Sequence, residues 1–392
     1  ITSYYIALYI HNFFNKFLLS FVMLFYNNKK TNNIKEVVFC SFPNNWIMTN
    51  VLNYRYTGSH FNRVNKNNIN NESLYFVSLL RNNQDKIKNI FVTISSFLKI
   101  YKNKQIIIAE NYYGLIKLIK VYLHSLILFF SKINKFKISN NELTNFNWEI
   151  FLRHALIENP KNQLINFQIK NFIKNNNKIV NILIPMYELY EQRMIINSLK
   201  NEKINFFNIF GIQQGAIGIG HLWRFVYSQS LFFKYNNLYT PDKYFLEGIS
   251  VKNLYQKYGI NNSFIIGAPR IFSLPKMYSY NKTFNRVFII LLDMHNWKNN
   301  LNEFLEKLSK HDNYFTFIKP HPSRFKSVKK YLTNNKHFNK KFIITKENLT
   351  KLINKNYNFI ILANETGAVI ELAKKGWPCF LIKNKNSLSY SP

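Results

Sequence analysis

Two short segments late in the chain carry residue types that handle phosphate. Lys319-Pro320-His321-Pro322 sets an ammonium and an imidazole two residues apart, with prolines restricting the backbone on both sides of His321. Such a pair can hold a phosphate. His321 can also pass a proton to a leaving phosphate oxygen, because an imidazole titrates near neutrality. Further on, Asn364-Glu365-Thr366-Gly367-Ala368 places a hydroxyl where a helix would begin, with a glycine beside it. A threonine N-cap with free backbone N–H groups makes an anion site, and Gly367 lets a ligand approach the backbone. Glu371, five residues past Thr366, is placed to reach a ribose hydroxyl. Plainer readings stand beside these: prolines that merely end a strand, ordinary capping by Thr366, and Glu371 on a solvated helix face.

Two other segments are rich in polar groups. Gly211-Ile212-Gln213-Gln214-Gly215-Ala216-Ile217-Gly218-Ile219-Gly220-His221 follows an apolar run, with Arg224 just beyond. Its glycine spacing inverts the dinucleotide fingerprint, so it is not one. Gln213, Gln214, His221 and Arg224 suit a sugar acceptor or a donor carboxylate, which Arg224 can pair bidentately. The alternative is a glycine-rich turn with ordinary surface polars. Glu188 and Glu191, spaced i, i+3 in a predicted helix over 186–199, share one face. Either is a candidate general base, or a structural partner of Arg193 or Lys200. Glu110 and Asp293, each just past a predicted strand, are weaker candidates for the same role.

Positioning these groups requires strand ends. Apolar runs at 34–42, 105–109, 179–185, 206–212, 244–246 and 263–266 read as short buried strands, and so does a second set at 287–292, 314–318, 342–344, 359–363 and 379–382. Helical patterns lie between many of them, notably at 301–310 and 367–375, so a parallel sheet is expected. Asn-rich stretches at 61–72 and 139–147 read as surface loops, and 271–284 as an interdomain connection. The Lys-Pro-His-Pro and Thr-Gly segments then fall at the carboxyl ends of neighbouring parallel strands, where open α/β sheets bind ligands.

Composition bounds the partners. At 392 residues and 47% hydrophobic content the chain is ordered and long enough for two domains. Its net charge of +34 comes with abundant Asn, Ile, Phe and Tyr, residues that share AT-rich codons with Lys, so codon bias alone can produce it. The basic residues are scattered, as at Lys29-Lys30, Lys329-Lys330, Lys340-Lys341 and Lys374-Lys375, and form no long tract. Peripheral contact with an anionic membrane is the best functional use of that charge, whereas no pattern for specific nucleic-acid binding is present. Cys40 and Cys379 build neither a disulfide framework nor a metal cluster, which points to the reducing cytoplasm. The apolar segment 1–26 is interrupted by His11, Asn12, Asn15 and Lys16, which favours a buried or interfacial helix over a membrane span. The run 115–130 carries Lys117, Lys120 and His124 on one side of an amphipathic helix, whose apolar side is core or membrane surface. The chain begins at Ile1 without Met and ends at Pro392 shortly after a strand, as a fragment would.

With these motifs the chain resembles bacterial surface-polysaccharide glycosyltransferases of the GT-B type. Lys319-Pro320-His321-Pro322 and Thr366-Gly367 with Glu371 are similar to motifs of sialyltransferases, Kdo transferases and related capsule enzymes. In those families the His of the His-Pro motif and a later Ser or Thr contact the phosphate of a CMP-sugar, which implies these roles for His321 and Thr366. Residues 181–270, including Pro241-Asp242-x-x-Phe245-x-x-Gly248, are similar to uncharacterised surface carbohydrate biosynthesis proteins. Two departures stand out. The paired-acid-Gly base motif of sialyltransferases is missing from the N-terminal half, and Asn364-Glu365-Thr366 replaces a pair of hydroxyl residues.

The expectation is therefore an α/β, GT-B-like chain with two Rossmann-like domains whose parallel sheets face a cleft. Residues 1–270 would form the acceptor domain and 285–392 the nucleotide-sugar donor domain, the latter ending as a truncated domain would. The expected activity is metal-independent sugar transfer from a CMP-activated acidic sugar to a capsule, O-antigen or lipopolysaccharide acceptor. Lys319, His321, Thr366, Gly367 and Glu371 would bind the donor, with His321 and Glu188 or Glu191 catalytic. Gln213, Gln214, His221 and Arg224 would face the acceptor or sugar. No cofactor or metal is expected beyond the nucleotide-sugar donor. The location would be cytoplasmic, peripheral at the inner face of the membrane. Rival readings are a CDP-glycerol-type glycerophosphotransferase, a sugar-nucleotide epimerase, and a non-catalytic basic protein that binds membrane or nucleic acid.

Overall fold

The computed structural model describes residues 2–26, 34–40, 73–78, 90–100, 106–139, 145–176, 178–186, 190–201, 207–213, 240–257, 259–267, 287–292, 297–309, 315–321, 324–335, 342–347, 349, 352, 359–363, 369, 372–373 and 375–381. The chain forms two compact units. One contains nearly all described residues up to 266, and the other runs from 267 onward and takes in residues 247–254.

The first unit is built on a seven-stranded parallel sheet. Its strands are β1 (Glu36–Cys40), β2 (Ser73–Val77), β3 (Ile106–Ile108), β4 (Asn181–Met186), β5 (Asn208–Gln213), β6 (Lys243–Leu246) and β7 (Ser263–Ile265), in spatial order β3-β2-β1-β4-β5-β6-β7. A parallel sheet is covered on both faces, so its strands are apolar almost throughout. Alternate residues of adjacent strands divide between those faces. Val38, Tyr75 and Ile106 pack with Leu19, Met23 and Phe97. Phe39 and Phe76 instead stack toward Phe172 and Tyr112.

Helices α1 (Thr2–Leu24), α2 (Ile90–Ile100), α3 (Leu115–Ser139), α4 (Asn145–Leu152), α5 (Asn159–Asn175) and α6 (Tyr190–Asn201) accompany this sheet, while α7 (Ile249–Lys257) belongs to the second unit up to Leu254. Between α4 and α5 the backbone makes a π-helical turn over Arg153–Glu158. Pro160 stands in the first turn of α5. It has no N–H to donate, and its ring crowds the carbonyl four residues back, so the regular ladder gives way there.

The second unit holds a five-stranded parallel sheet, ordered β10-β9-β8-β11-β12. Its strands are β8 (Val287–Leu292), β9 (Phe315–Pro320), β10 (Phe342–Ile344), β11 (Phe359–Ala363) and β12 (Cys379–Leu381). Helices α8 (Trp297–Ser309) and α9 (Phe325–Asn334) cover one face through Leu301, Leu305 and Val328, against Ile290, Leu292 and Ile318. The other face buries Ile289, Leu291, Phe359 and Ile361 under Leu352, Val369, Leu372 and Trp377. Both sheets grow outward on one side of their first strand, then return to its other side. That is the doubly wound α/β pattern expected from the alternation of strands and helices.

Several sequence expectations shift. Strand β2 and helices α2 and α9 were not anticipated. The helix expected over 186–199 starts later, because Met186 still belongs to β4 through its pairing with Gln213. The loop expected over 139–147 is shorter, since α3 reaches Ser139 and α4 starts at Asn145. Expectations for 61–72 and 271–284 lie outside the described residues. Gly211, read as the start of a glycine loop, sits inside β5 for a packing reason. A Cβ there would stand 2.8 Å from Pro241 Cγ and 2.9 Å from Met186 Cγ. Gly211→Ala is expected to lower the unfolding free energy by about 1–3 kcal/mol through overpacking, read from the denaturant midpoint.

Helix α1 is a helix on protein, as one of the two sequence options held, but it is arranged in an unusual way. Asn12, Asn15, Lys16 and Ser20 are buried along with Leu8, Tyr9 and Leu19. Burial pushes the Lys16 ammonium down to about 8, with Lys161 adding to the shift and Glu110 opposing it. Its Nζ lies 5.9 Å from the centre of the Tyr122 ring. Because the folded pKa is below the ordinary 10.5, the unfolded chain binds more protons between about pH 8 and 10.5, and stability rises with pH across that window. Measured against Lys16→Met from about pH 7 to about pH 10, the wild type should gain on the order of 2–3 kcal/mol. A pH-independent difference would show that Lys16 is not held charged in an apolar setting.

Candidate functional site

In a doubly wound sheet ligands bind beyond the carboxyl ends of the strands, at the place where strand order reverses. In the second unit that place is between β8 and β11. The register brings the relevant ends nearly level, with Leu292 opposite Pro320 and Ala363 opposite Leu291. β9 therefore runs two residues further than the sequence suggested, and Pro320 is its last residue rather than its terminator. Proline is tolerated there because it is the first position past the ladder's need for a donor.

His321 follows directly and is exposed. Its backbone N–H donates to the Leu292 carbonyl at 3.2 Å, and its own carbonyl accepts from the Arg324 N–H at 2.8 Å. These two bonds tie the turn to the end of β8 and lead it straight into α9. Arg324 precedes α9 as its N-cap residue. The free N–H groups and dipole of that helix start therefore lie a few residues from His321. Sequence reading missed Arg324. The signal was available, since a basic residue three positions after a His-Pro pair begins an amphipathic period.

Lys319 is oriented by a different contact. Its Nζ donates to the Glu347 carbonyl at 2.6 Å, beyond the end of β10. Thr345 holds that segment in place, its N–H donating to the Ile318 carbonyl at 3.0 Å and its hydroxyl accepting from the Glu347 N–H at 3.0 Å. Burial lowers the pKa of the Lys319 ammonium. Lys319 is thus fixed on the β10 side of β9, while β11, which precedes the Thr-Gly segment in the sequence, lies on the opposite side of β8.

That order corrects one expectation. The two motifs were placed on neighbouring strands, but β8 lies between β9 and β11. Two ladder spacings separate the strand ends by about 10 Å. A ligand touching both segments must lie over the end of β8, where Asp293 follows. Thr366, Gly367, Glu371 and Asp293 lie outside the described residues. Val369 and Leu372 are helical and buried beneath the sheet, as the helix expected over 367–375 requires.

In the first unit the reversal falls between β1 and β4. Gln213 closes β5, beside β4, and is 3% exposed. Glu191 lies in the first turn of α6, where only its backbone is described. Glu188, Gln214, His221 and Arg224 lie outside the described residues. Lys200, one proposed partner for the acidic pair, has its Nζ 3.2 Å from Asp242 Oδ1. Asp242 Oδ2 accepts from the Ile209 N–H at 2.8 Å. The Pro241-Asp242 segment therefore braces the amino ends of β5 and β6, the edge away from any ligand. Glu110, the weaker base candidate, is buried past β3, and Ser78 Oγ donates to its Oε1 at 2.7 Å. It stands at the outer edge of the sheet, separated from the reversal by β2 and β1. Among the described residues no three metal-ligating side chains come together.

No protein-family profile and no curated protein sequence matches the chain. Solved structures do. The chain is similar to a UDP-N-acetylglucosamine 2-epimerase at 9% identity and a TM-score of 0.49, over 91% of this chain and 80% of that one. It is similar to the UDP-N-acetylglucosamine 2-epimerase from Rickettsia bellii at 12% identity and a TM-score of 0.46, over 89% and 78%. Against TarM from S. aureus the values are 10% and 0.38, over 58% of this chain and 45% of TarM, so less than half of that protein's length is spanned. None of these TM-scores reaches 0.5, and the two-sheet architecture rests on the strand order itself.

The contacts separate two residues that look alike in sequence. His321→Ala removes an exposed side chain and should change the unfolding free energy by less than about 0.5 kcal/mol. Lys319→Met breaks the bond to the Glu347 carbonyl and should lower it by about 1 kcal/mol. Equal effects in denaturant melts would contradict the assignment of Lys319 as the brace of this edge.

Proposed function

We propose that the chain is a GT-B-type glycosyltransferase that takes a nucleotide-activated sugar and transfers it to a surface-glycan acceptor. One observation carries the reading. In the second sheet, Lys319-Pro320-His321 ends the strand beside β8, and β11, the strand that Thr366 and Gly367 follow in the sequence, lies on its other side. The residues that suit a phosphate thus flank the strand-order reversal where open α/β sheets bind nucleotides. The motif resemblance supplies the finer reading, a CMP-activated acidic sugar as donor.

In the proposed reaction an acceptor hydroxyl oxygen bonds to the anomeric carbon as the bond from that carbon to the phosphate oxygen breaks. The hydroxyl proton passes to Glu188 or Glu191. The departing nucleotide gains negative charge, which His321, the start of α9 and the cap at Thr366 meet with positive or donor groups. His321 in its protonated form can also deliver a proton to the leaving oxygen. Glu371 would hold the ribose, while Gln213, Gln214, His221 and Arg224 would orient the acceptor or sugar. Donor chemistry of this kind needs no cofactor, because cationic and dipolar groups can carry the phosphate charge.

A thermal-shift comparison of CMP, CDP, UDP, GDP and ADP tests the proposal, since a ligand of the folded state stabilises it by mass action. At about a hundredfold excess over Kd, CMP should stabilise the wild type by about 2.7 kcal/mol, and His321→Ala should abolish the shift. A response to CDP would redirect the reading to glycerophosphate transfer, and one to UDP to an epimerase or another sugar transfer. No response to any nucleotide would remove the donor site altogether.

A further inference from the structure

Helix α1 is arranged the wrong way round for a soluble protein. Its buried side mixes Asn12, Asn15, Lys16 and Ser20 with Tyr5, Leu8, Tyr9, Leu19 and Met23, whereas Ile6, Ile10, Phe14, Leu18 and Phe21, and Phe25 just past its end, are exposed. These six recur at intervals of three or four and so form one stripe along the helix. Phe14 is 54% exposed and Phe25 74%. The helix spans 23 residues, about 35 Å at the helical rise, and its sole Lys, Arg, Asp or Glu side chain is the buried Lys16.

Helix α3 packs beside it. Tyr9 stacks on Tyr122, and the Tyr9 hydroxyl donates to the Tyr122 carbonyl at 2.5 Å. α3 exposes a second stripe, Ile116, Ile119, Leu123, Ile127 and Phe130, again spaced by three or four. Ile116 is 74% exposed and Ile127 65%. Lys120 is exposed at the flank of this stripe, and Lys132 is exposed on the opposite side of the helix. Lys117 is half-buried, with its Nζ 3.6 Å from the centre of the Phe167 ring. An apolar stripe bordered by ammonium groups on long stems is the pattern of a helix lying in a membrane interface, where the stems reach back to the headgroups.

We propose that the α1–α3 surface of the first unit seats in the interfacial region of an anionic lipid bilayer. Charge complementarity selects that occupant. The chain carries 53 Lys and Arg against 19 Asp and Glu, and Lys120 flanks the α3 stripe. A second copy docked on the same surface would set lysine against lysine. A membrane-spanning α1 is disfavoured because its inner side is already taken: Tyr5, Leu8 and Tyr9 belong to one core cluster with Leu118, Tyr122, Leu152 and Leu156. The bilayer accordingly meets only the outward stripe. The leaflet that carries such lipids in cells is the cytoplasmic one.

Vesicle flotation tests this with the full chain. Phosphatidylcholine vesicles containing about one third phosphatidylglycerol should carry the protein, and binding should weaken as salt rises. Phe14→Glu with Phe21→Glu should cut binding more than tenfold. Lys120→Gln should weaken it about fivefold on the anionic vesicles and leave binding to pure phosphatidylcholine unchanged. Phe14→Trp keeps the surface apolar, and its added fluorescence should be quenched by brominated acyl chains, which covers the case where the glutamate pair unfolds. The proposal fails if the wild type does not float, or if Phe14→Trp fluorescence is untouched. It fails too if alkaline carbonate leaves the protein in the membrane as a spanning helix. It fails as well if light scattering shows a dimer that the glutamate pair dissociates.

Discussion

The return of each sheet to the far side of its first strand governs where chemistry can occur in this chain. Parallel strands need a crossover for every pair, and the crossovers are right-handed, so a sheet covered on both faces must reverse its winding somewhere. At that reversal the two adjoining loops leave in opposite directions and open a crevice. In the second unit, residues 285 onward contribute β8, then β9 and β10 outward, then β11 and β12 on the other side. That order alone puts the end of β11 next to the end of β8, and brings His321 to within one strand of it.

How much of this could be read from residues depends on the kind of signal. The strands of the second sheet are short apolar runs bounded by Pro, Gly or Asn, and three of them coincide with the sequence reading residue for residue: 287–292, 342–344 and 359–363. Their spatial order could not be read that way, because local patterns carry no information on which side β11 adds. Placing the two phosphate motifs on adjacent strands was the resulting error. β2 escaped because Ser73–Val77 follows an Asn-rich stretch whose polar character dominated the window. Lys319 was read as a ligand group because a lysine beside a histidine suggests phosphate; its bond to the Glu347 carbonyl, 28 residues away in sequence, depends on β10 lying beside β9. Gly211 shows the same limit, since the close approach of Pro241 is a tertiary fact.

Polar groups inside α1 are what allow apolar groups outside it. A helix of this composition laid on a purely apolar sheet would rotate to bury its Phe and Leu stripe. Here the underlying surface is partly polar: Glu110 with Ser78 at the carboxyl ends of β3 and β2, and Lys161 on α5. Burying Lys16 costs solvation, as its lowered pKa records, and Glu110 offsets part of that cost. With Asn12, Asn15, Lys16 and Ser20 buried beside Tyr5, Leu8, Tyr9, Leu19 and Met23, the outward stripe is left without a place in the core. Apolar packing and the polar contacts beneath the helix together set its orientation.

The same helix bears on the meaning of the net charge. A basic excess that arose only from codon bias would be spread without regard to surface chemistry. Charged residues make up 18% of the chain, so a helix of 23 residues would carry about four of them at random. α1 carries one, and it is buried. α3, its neighbour, carries several lysines, with Lys120 exposed at the flank of its apolar stripe. Bias in composition can explain why the cations are lysines and why there are many. It does not explain their exclusion from the exposed side of one helix and their placement beside the stripe of the next, whereas a surface that meets lipid tails along one line and headgroups along another requires both.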